Sequence, residues 1–485
     1  LLPGFPRRPL PTKKTARAGV PPTRENRFQG DLQRYDLVAH ASQVAKRSAT
    51  ARRAPANTAL RPATTEVMVG GLGPRTMAMA DKMLEPMGMH LMQTGGGGQS
   101  KTLLASAPKT YQDGGVITVQ LVRGDISMSG LGTVTHVVGD KLVAFGHPMI
   151  NGGIEALPTA IGHVHWILST QNRSFKIGEP TRSLGTLVND RQASIVIDTK
   201  ITAPTFPVSL AVSGALGAPK TAWDVEISHD PFFAPSFVAV SLGSALETTT
   251  GERNDLTWRA KSKIAVEGHG TIEFDDFGAG NQVPLGAGTI SRTRLVRAVG
   301  SLMNNPWQSA QLKGIEMELA VTHKREVMLM MGSKVLDPEV DPGQSARVEL
   351  QLQPWGKNER RTQVIEVPIE RSLAGQTVKI QLQPGYAVER LVAPPKNFGE
   401  LVRSLPDRNF PSQTVVASYK LPDEASTAYE GHVAHRLPPY AADLLRPASQ
   451  SDAPILYGAT KQVAIPVPRF LVGKDTVTIK VRDHR

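Results

Sequence analysis

The chain has 485 residues, too many for one hydrophobic core, and this length predicts about three domains. It contains no cysteine, which excludes a disulfide framework, a thiol nucleophile and cysteine-ligated metal sites. No run of about 18 apolar residues is present, so no transmembrane segment is predicted.

The first 62 residues are predicted to form a basic, proline-rich arm. They hold 13 Lys and Arg against 3 Asp and Glu, and so carry +10 of the net charge of +12. Helical patterning is confined to residues 30–48. We expect the arm to lie along a protein surface, which can be the body of this chain, an upstream fragment of its own or a separate partner. A nucleic-acid arm is disfavoured because only Phe5, Phe28 and Tyr35 could stack on bases.

Residues 63–115 are predicted to form a small α/β unit. A strand begins at Thr65, and a helix with apolar side chains at helical spacing begins at Pro74. The glycine-rich run from Gly95 is similar to a phosphate-binding loop, but Ser100 stands where that loop requires its second glycine. We therefore expect a flexible connector at this position and no cofactor.

Residues 116–304 are dominated by short apolar or alternating segments, which predict β-strands. Gly139 and Asp140 form a two-residue turn signal between two of them, which predicts a β-hairpin. Helices are expected near residues 231–246 and 292–303.

Residues 305–485 show period-two alternation again, for example in residues 315–322 and 346–352, with a helix expected over 397–405. This spacing predicts one or two β-sandwich modules. The whole protein is therefore expected to be mainly β.

The most informative residue is His147, which follows an apolar segment and lies between Gly146 and Pro148. Such a histidine is expected on a tight turn, where its ring can face a cleft. An imidazole with an ordinary pKa near 6.5 suits a general base.

Two motifs surround this histidine. The first is Gly-Leu-Gly-Thr-Val-Thr from Gly130, followed by Ala-Phe-Gly-His-Pro from Ala144, and the second is Ile-Gly-Glu-Pro-Thr-Arg-Ser-Leu-Gly-Thr-Leu-Val-Asn-Asp-Arg from Ile177. In this order they resemble the SpoIVB-type serine peptidase domain, including its members in large envelope proteins. The resemblance covers residues 65–300. It implies a chymotrypsin-like β-barrel, a periplasmic, outer-envelope or secreted bacterial location, and His147 as the catalytic histidine, with Asp190 as the best acidic candidate.

The nucleophile of that family lies in a Gly-Met-Ser-Gly-Ser-Pro motif, and this sequence has no complete copy. Ser129 shares part of it, whereas Ser213 and Ser244 are small-residue serines without the flanking pattern. We therefore expect a non-catalytic structural or assembly subunit of the bacterial cell envelope, able to form homo- or hetero-oligomers. The alternative is a processed fragment of an autoproteolytic serine peptidase whose serine lies upstream, since the chain begins with Leu1 and not with Met.

Other constellations compete for function. His163 and His165 could join His147 in a three-histidine zinc site, although the apolar run from Trp166 predicts a packed strand and no metal. The carboxylates of Glu273, Asp275 and Asp276 could bind a cation or act as acid and base, but a solvated hairpin tip is the preferred interpretation. The remaining histidines of interest are expected to be structural or exposed, and they are His229, His432 and His435.

Overall fold

A computed structural model of the chain describes residues 27–51, 64–94, 101–169, 174–191, 193–214, 217–218, 220–250, 255–280, 293–390, 395–421, 426–429, 432–435, 455–457, 460–467 and 469–483. Strand makes up 51% and helix 21%, which confirms the mainly β prediction. Within these ranges, no helix has both the length and the apolar character needed to cross a bilayer.

Strands outnumber helices along most of the described chain. The helices are α1 Leu37–Ala51, α2 Pro74–Leu84, α3 Lys101–Ser106, α4 Phe233–Thr250, α5 Arg294–Met303 and α6 Phe398–Ser404. The strands are β1 Thr65–Gly70, β2 Met89–Gln93, β3 Val116–Gly124, β4 Ser127–Val138, β5 Lys141–Ala144, β6 Leu157–Ser169, β7 Ser174–Arg191, β8 Ser194–Asp198, β9 Thr205–Ser213, β10 Ala222–Ser228, β11 Leu256–Val266, β12 Gly270–Gly280, β13 Leu312–Thr322, β14 Val327–Val335, β15 Glu339–Val340, β16 Ser345–Pro354, β17 Arg361–Pro368, β18 Thr377–Pro384, β19 Thr414–Lys420, β20 Ser426–Tyr429, β21 His432–His435, β22 Ile455–Tyr457, β23 Thr460–Pro466, β24 Phe470–Val472 and β25 Asp475–Val481.

The chain divides into two compact units. The first comprises residues 1–29, 39–207 and 224–237, and the second comprises residues 30–38, 208–223 and 238–485. The helices predicted near residues 74, 231 and 292 are present as α2, α4 and α5.

The first unit contains a closed β-barrel of six antiparallel strands. Pairing runs from β3 to β6, β7, β8, β5 and β4, and then returns to β3. The register shifts at bulges in several of these pairs, which gives the local bending that closure of so few strands requires. The hairpin predicted at Gly139 is present between β4 and β5, with Gly139 at φ 58°. The barrel core is formed by buried apolar side chains that include Ile117, Val119, Val134, Leu142, Ala144, Leu187, Ile195 and Ile197.

Two further strands extend the barrel at β4. The first, β1, pairs antiparallel with β4, and β2 then pairs parallel with β1 through the connecting helix α2. The predicted small α/β unit is therefore joined to the barrel by main-chain hydrogen bonds. The glycine-rich run at 95–100 lies outside the described residues.

The second unit has three described sheets besides a small hairpin group. The first contains β12, β11, β13 and the part of β9 from Val208, and β13 runs parallel to β9. The alternation over residues 315–322 predicted a sandwich strand, but β13 pairs with β11 and β9. The sandwich itself consists of β17-β16-β14-β24 and β15-β25-β18-β19-β23, whose apolar faces share one core.

Part of the predicted arm packs within the second unit. Tyr35 is fully buried, and the nearest carbon of its ring lies 2.0 Å from the position that a Cβ on Gly300 of α5 would take. The Arg408 guanidinium donates to the Leu32 carbonyl at 2.7 Å. These contacts hold residues 32–35 against the body of this chain. Residues 1–26 and 52–63 of the arm lie outside the described residues.

Candidate functional site

The histidine predicted to be catalytic lies on a strained loop between β5 and β6. Phe145 and Asn151, at φ 71° and φ 60°, are the non-glycine residues with positive φ in the part of the chain that the structure describes. Both lie within four residues of His147. Side chains other than glycine adopt this region at a cost, and such backbone strain concentrates at functional sites. The strained residues therefore lie in the same loop as the Ala-Phe-Gly-His-Pro motif.

Phe145 is fixed by the motif that begins at Gly130. Its N–H donates to the Thr133 carbonyl at 3.0 Å, and its ring lies against Gly132, where an added Cβ would stand 2.1 Å from the ring. Glycine is therefore required at position 132 because the aromatic ring occupies the space of a side chain. The neighbouring Thr133 hydroxyl accepts a hydrogen bond from the Lys176 ammonium, so β7 also contacts this corner of the barrel.

The His147 ring is half-buried, and its centroid lies 5.5 Å from that of Phe145. Its Nδ1 lies 2.7 Å from the Pro148 carbonyl oxygen. A carbonyl only accepts hydrogen bonds, so Nδ1 carries the proton. In the neutral ring Nε2 is then the atom with the free lone pair, which is the tautomer that a general base needs.

Asp190 is almost completely buried at the end of β7 and holds the loop that follows His147. Its carboxylate accepts hydrogen bonds from the amides of Met149 at 2.7 Å, Ile150 at 2.8 Å and Gly152 at 3.3 Å. Its own main chain exchanges two further hydrogen bonds with Gly153, at 2.8 and 2.6 Å. Burial raises the pKa of the Asp190 carboxyl, and the hydrogen bonds that the loop amides donate to it offset part of that rise.

His147 therefore lies on this loop and Asp190 of β7 holds it, but the two side chains do not contact each other as a base and its orienting acid would. No hydrogen bond joins the side chains of His147 and Asp190 in the described residues. Asp190 acts on the backbone as a positioning residue, and Pro148 supplies the acceptor for Nδ1.

The serine candidates lie elsewhere. Ser129 is buried within β4, opposite Gln120 of β3 and Met68 of β1. Ser213 ends β9 and Ser244 is buried within α4, both in the second unit. Across the described ranges, no serine hydroxyl forms a hydrogen bond with His147.

The histidine pair on β6 lies beside one carboxylate, that of Glu179. The ring centroids of His163 and His165 are 4.9 Å apart, and His165 Nε2 lies 3.5 Å from a Glu179 carboxylate oxygen. No group of three His, Asp or Glu side chains suited to a metal is found among the described residues. The prediction that Trp166 packs within the strand is wrong, since 66% of this residue is exposed. Trp166 is exposed because β6 continues beyond Ile161, where its pairing with β3 ends, and is paired there with β7.

The carboxylates of β12 have structural partners, and the hairpin-tip prediction for them is wrong. They lie along the strand because the turn falls earlier, before Gly270. Asp275 accepts from the Arg259 guanidinium, with Nε at 2.7 Å. Asp276 is buried and accepts from the Arg294 amide at 2.9 Å, which caps α5. His229 is buried, whereas the side chains of His432 and His435 lie outside the described residues.

Three residues of the site were not identified as such from the sequence, namely Phe145, Gly132 and Lys176. Phe145 and Gly132 were visible only as members of a motif, because the strain at Phe145 and its contact with Gly132 depend on pairing between strands. No protein-family model matches this chain, and no curated protein is significantly similar to it.

Proposed function

We propose that this protein is a non-catalytic structural or assembly subunit of the bacterial cell envelope, built on a peptidase-like β-barrel. The observation that carries the proposal is the set of hydrogen bonds made by the side chains of His147 and Asp190. Asp190 binds three loop amides, and His147 Nδ1 binds the Pro148 carbonyl. The residues that would form a catalytic relay in a peptidase serve in this protein to build a loop.

The chemistry of a serine peptidase explains why this matters. The histidine must accept the proton of a serine hydroxyl, and a carboxylate must orient that histidine and stabilise its charged form. The Asp190 carboxylate is directed to amides, and burial raises its pKa. Loss of any member of the relay leaves only weak residual acceleration.

The test is covalent labelling with a serine-directed fluorophosphonate, with trypsin as the positive control and His147→Ala as the matched variant. We expect no labelling of the folded protein and no casein hydrolysis above that of His147→Ala. Stoichiometric labelling that disappears in His147→Ala would overturn the proposal. The envelope location rests on the family resemblance, and fractionation of cells that produce the protein tests it separately.

The enzymatic alternative is a processed fragment of an autoproteolytic peptidase, with the serine on a segment outside these 485 residues. Two observations favour it, the tautomer that leaves Nε2 of His147 as an acceptor and the strain at Phe145 and Asn151. Under this alternative the same reagent labels a longer precursor in cells, and His147→Ala prevents both labelling and cleavage of that precursor. An unlabelled precursor that is still cleaved in His147→Ala would exclude it.

A further inference from the structure

A cleft lies at one end of the sandwich, where β14 and β24 begin and β16 ends. Val327 of β14 pairs with Phe470 of β24, and Met328 pairs with Pro354 of β16. These pairings bring together the loop before β14, the turn after β16 and the residue before β24. With Asp255, which precedes β11, the three segments line a cleft of about 480 Å³. This volume lies in the range of sites for small molecules.

One wall of the cleft is a tryptophan that its neighbours hold in place. The Trp355 amide donates to the Val327 carbonyl at 3.1 Å, and its indole Nε1 donates to the Asp255 carboxylate at 3.0 Å. The central carbon of the Arg325 guanidinium lies 3.8 Å from the indole centroid, and its Nε lies 3.4 Å from the same carboxylate. Trp355 is still 38% exposed. The cleft therefore presents an aromatic surface whose position is fixed by these contacts.

The lining of the cleft stays positive after its ion pairs are counted. Five Lys and Arg side chains and two carboxylates line it. Arg325 pairs with Asp255, and Arg361 pairs with Glu359, which lies outside the lining. Glu326 is the second carboxylate, so the lining keeps a net charge of +2 with histidine counted as neutral. Among the described residues, no carboxylate lies within ion-pair distance of the three remaining cations, which are Lys324, Lys357 and Arg469.

Charge and shape narrow the choice of ligand. A phosphate monoester carries about −1.5 to −2 at neutral pH and has three strong acceptor oxygens. It therefore matches both the net charge of the lining and the number of cations without a carboxylate partner. A single carboxylate has one charge and two oxygens, and would leave part of this charge without a counterpart. The exposed part of Trp355 suits contact with a ring attached to the phosphate.

We propose that this cleft binds the phosphate monoester of a ring compound, with Lys324, Lys357 and Arg469 at the phosphate and Trp355 at the ring. A sugar phosphate and a nucleoside monophosphate share this chemistry, and the test below distinguishes them. The residues of the cleft all belong to the second unit. Binding does not depend on whether the barrel is catalytic, so its failure would leave the proposed non-catalytic role unchanged.

The test is isothermal titration calorimetry of the full chain with glucose 6-phosphate and with adenosine monophosphate. Methyl phosphate serves as the phosphate without a ring, and glucose as the ring without a phosphate. We expect at least one of the two phosphate monoesters to bind about 10-fold more tightly than methyl phosphate, because stacking on an aromatic side chain adds affinity. The tighter of the two identifies the source of the phosphate. Binding of both that is no tighter than that of methyl phosphate, or no binding at all, would overturn the proposal.

A pair of variants separates the cleft from the basic arm, which could itself attract phosphate. Lys324→Gln/Lys357→Gln should weaken binding of the tighter ligand by at least about 10-fold, because two charge-assisted hydrogen bonds are lost. The matched control is Lys379→Gln/Lys420→Gln, which removes two exposed lysines from the other sheet of the sandwich and should leave the affinity unchanged. Equal affinity of the wild type and the cleft variant would assign binding to another region and overturn the proposal.

Fluorescence of the bound protein tests the position of the ring. Binding should change the tryptophan emission, and Trp355→Phe should remove that change while calorimetry still detects binding, since phenylalanine retains an aromatic ring. The same change of emission in Trp355→Phe would place the ligand at another site and overturn the proposal.

Discussion

Replacement of Asp190 by alanine should release the loop that carries His147. The carboxylate accepts two short hydrogen bonds, from Met149 at 2.7 Å and Ile150 at 2.8 Å, and a longer one from Gly152 at 3.3 Å. A buried amide left without an acceptor costs about 1–3 kcal/mol. Removal of a buried carboxylate with a raised pKa returns part of that cost.

We therefore expect the free energy of local opening of the loop to fall by about 3 kcal/mol in Asp190→Ala. That loss corresponds to about 100-fold faster amide exchange at Met149, Ile150 and Gly152, since about 1.4 kcal/mol is a factor of ten. Hydrogen–deuterium exchange resolved by NMR or by short peptides measures it directly. Asp190→Asn should have a smaller effect, because its one remaining oxygen can still accept from part of the set.

The matched control is Asp198→Ala. Asp198 lies at the end of β8, a neighbour of β7, and its carboxylate accepts one exposed amide, that of Lys200 at 3.0 Å. Its loss should leave exchange in the His147 loop unchanged. Unchanged exchange at Met149 and Ile150 in Asp190→Ala would refute the assignment of Asp190 as the residue that positions the loop.

Three further changes test other parts of the molecule. Asp230 caps α4, and burial raises the pKa of its carboxyl from 3.8 to about 6, so ionisation of this group lowers the stability of the folded protein as pH rises from about 4 to 6. Asp230→Asn should remove this pH dependence in urea unfolding and raise the free energy of unfolding at pH 7 by up to about 3 kcal/mol. Gly132→Ala should destabilise the barrel by about 1–3 kcal/mol in the same assay, because the Phe145 ring occupies the space of the new methyl group. Gly300→Ala should lower the melting temperature, although alanine in a helix normally stabilises by about 1 kcal/mol, because its Cβ would overlap the Tyr35 ring; a rise would contradict that packing.

Local sequence signals predicted many of the elements. Alternation of apolar and polar residues predicted strands such as β13 and β16, and the Gly139–Asp140 pair predicted the β4–β5 turn. These features depend on residues that are close in the sequence. Prediction succeeded where the physical cause was equally local.

Features that depend on distant pairing were not predictable in this way. Asp190 was the best acidic candidate for the catalytic site, but its carboxylate accepts amides 38 to 41 residues earlier in the chain. Trp166 was expected to pack because its neighbours are apolar. Whether a strand is covered depends on where its partner ends, and β3 ends its pairing with β6 at Ile161. Asp276 was expected in solvent, but a helix 18 residues later buries it.

Closure of the barrel also has a consequence for how the chain folds. The ring is completed by pairing of β5 with β8, which joins Leu142 to Ile197 across a long stretch of chain that includes β6 and β7. Contacts between residues so far apart in sequence slow folding, because the entropy of closing the intervening segment is lost before the pairing forms. During synthesis, β5 has no partner on that side until β8 has been made. The nascent protein therefore presents the open edge of β5 until β6, β7 and β8 have all been made.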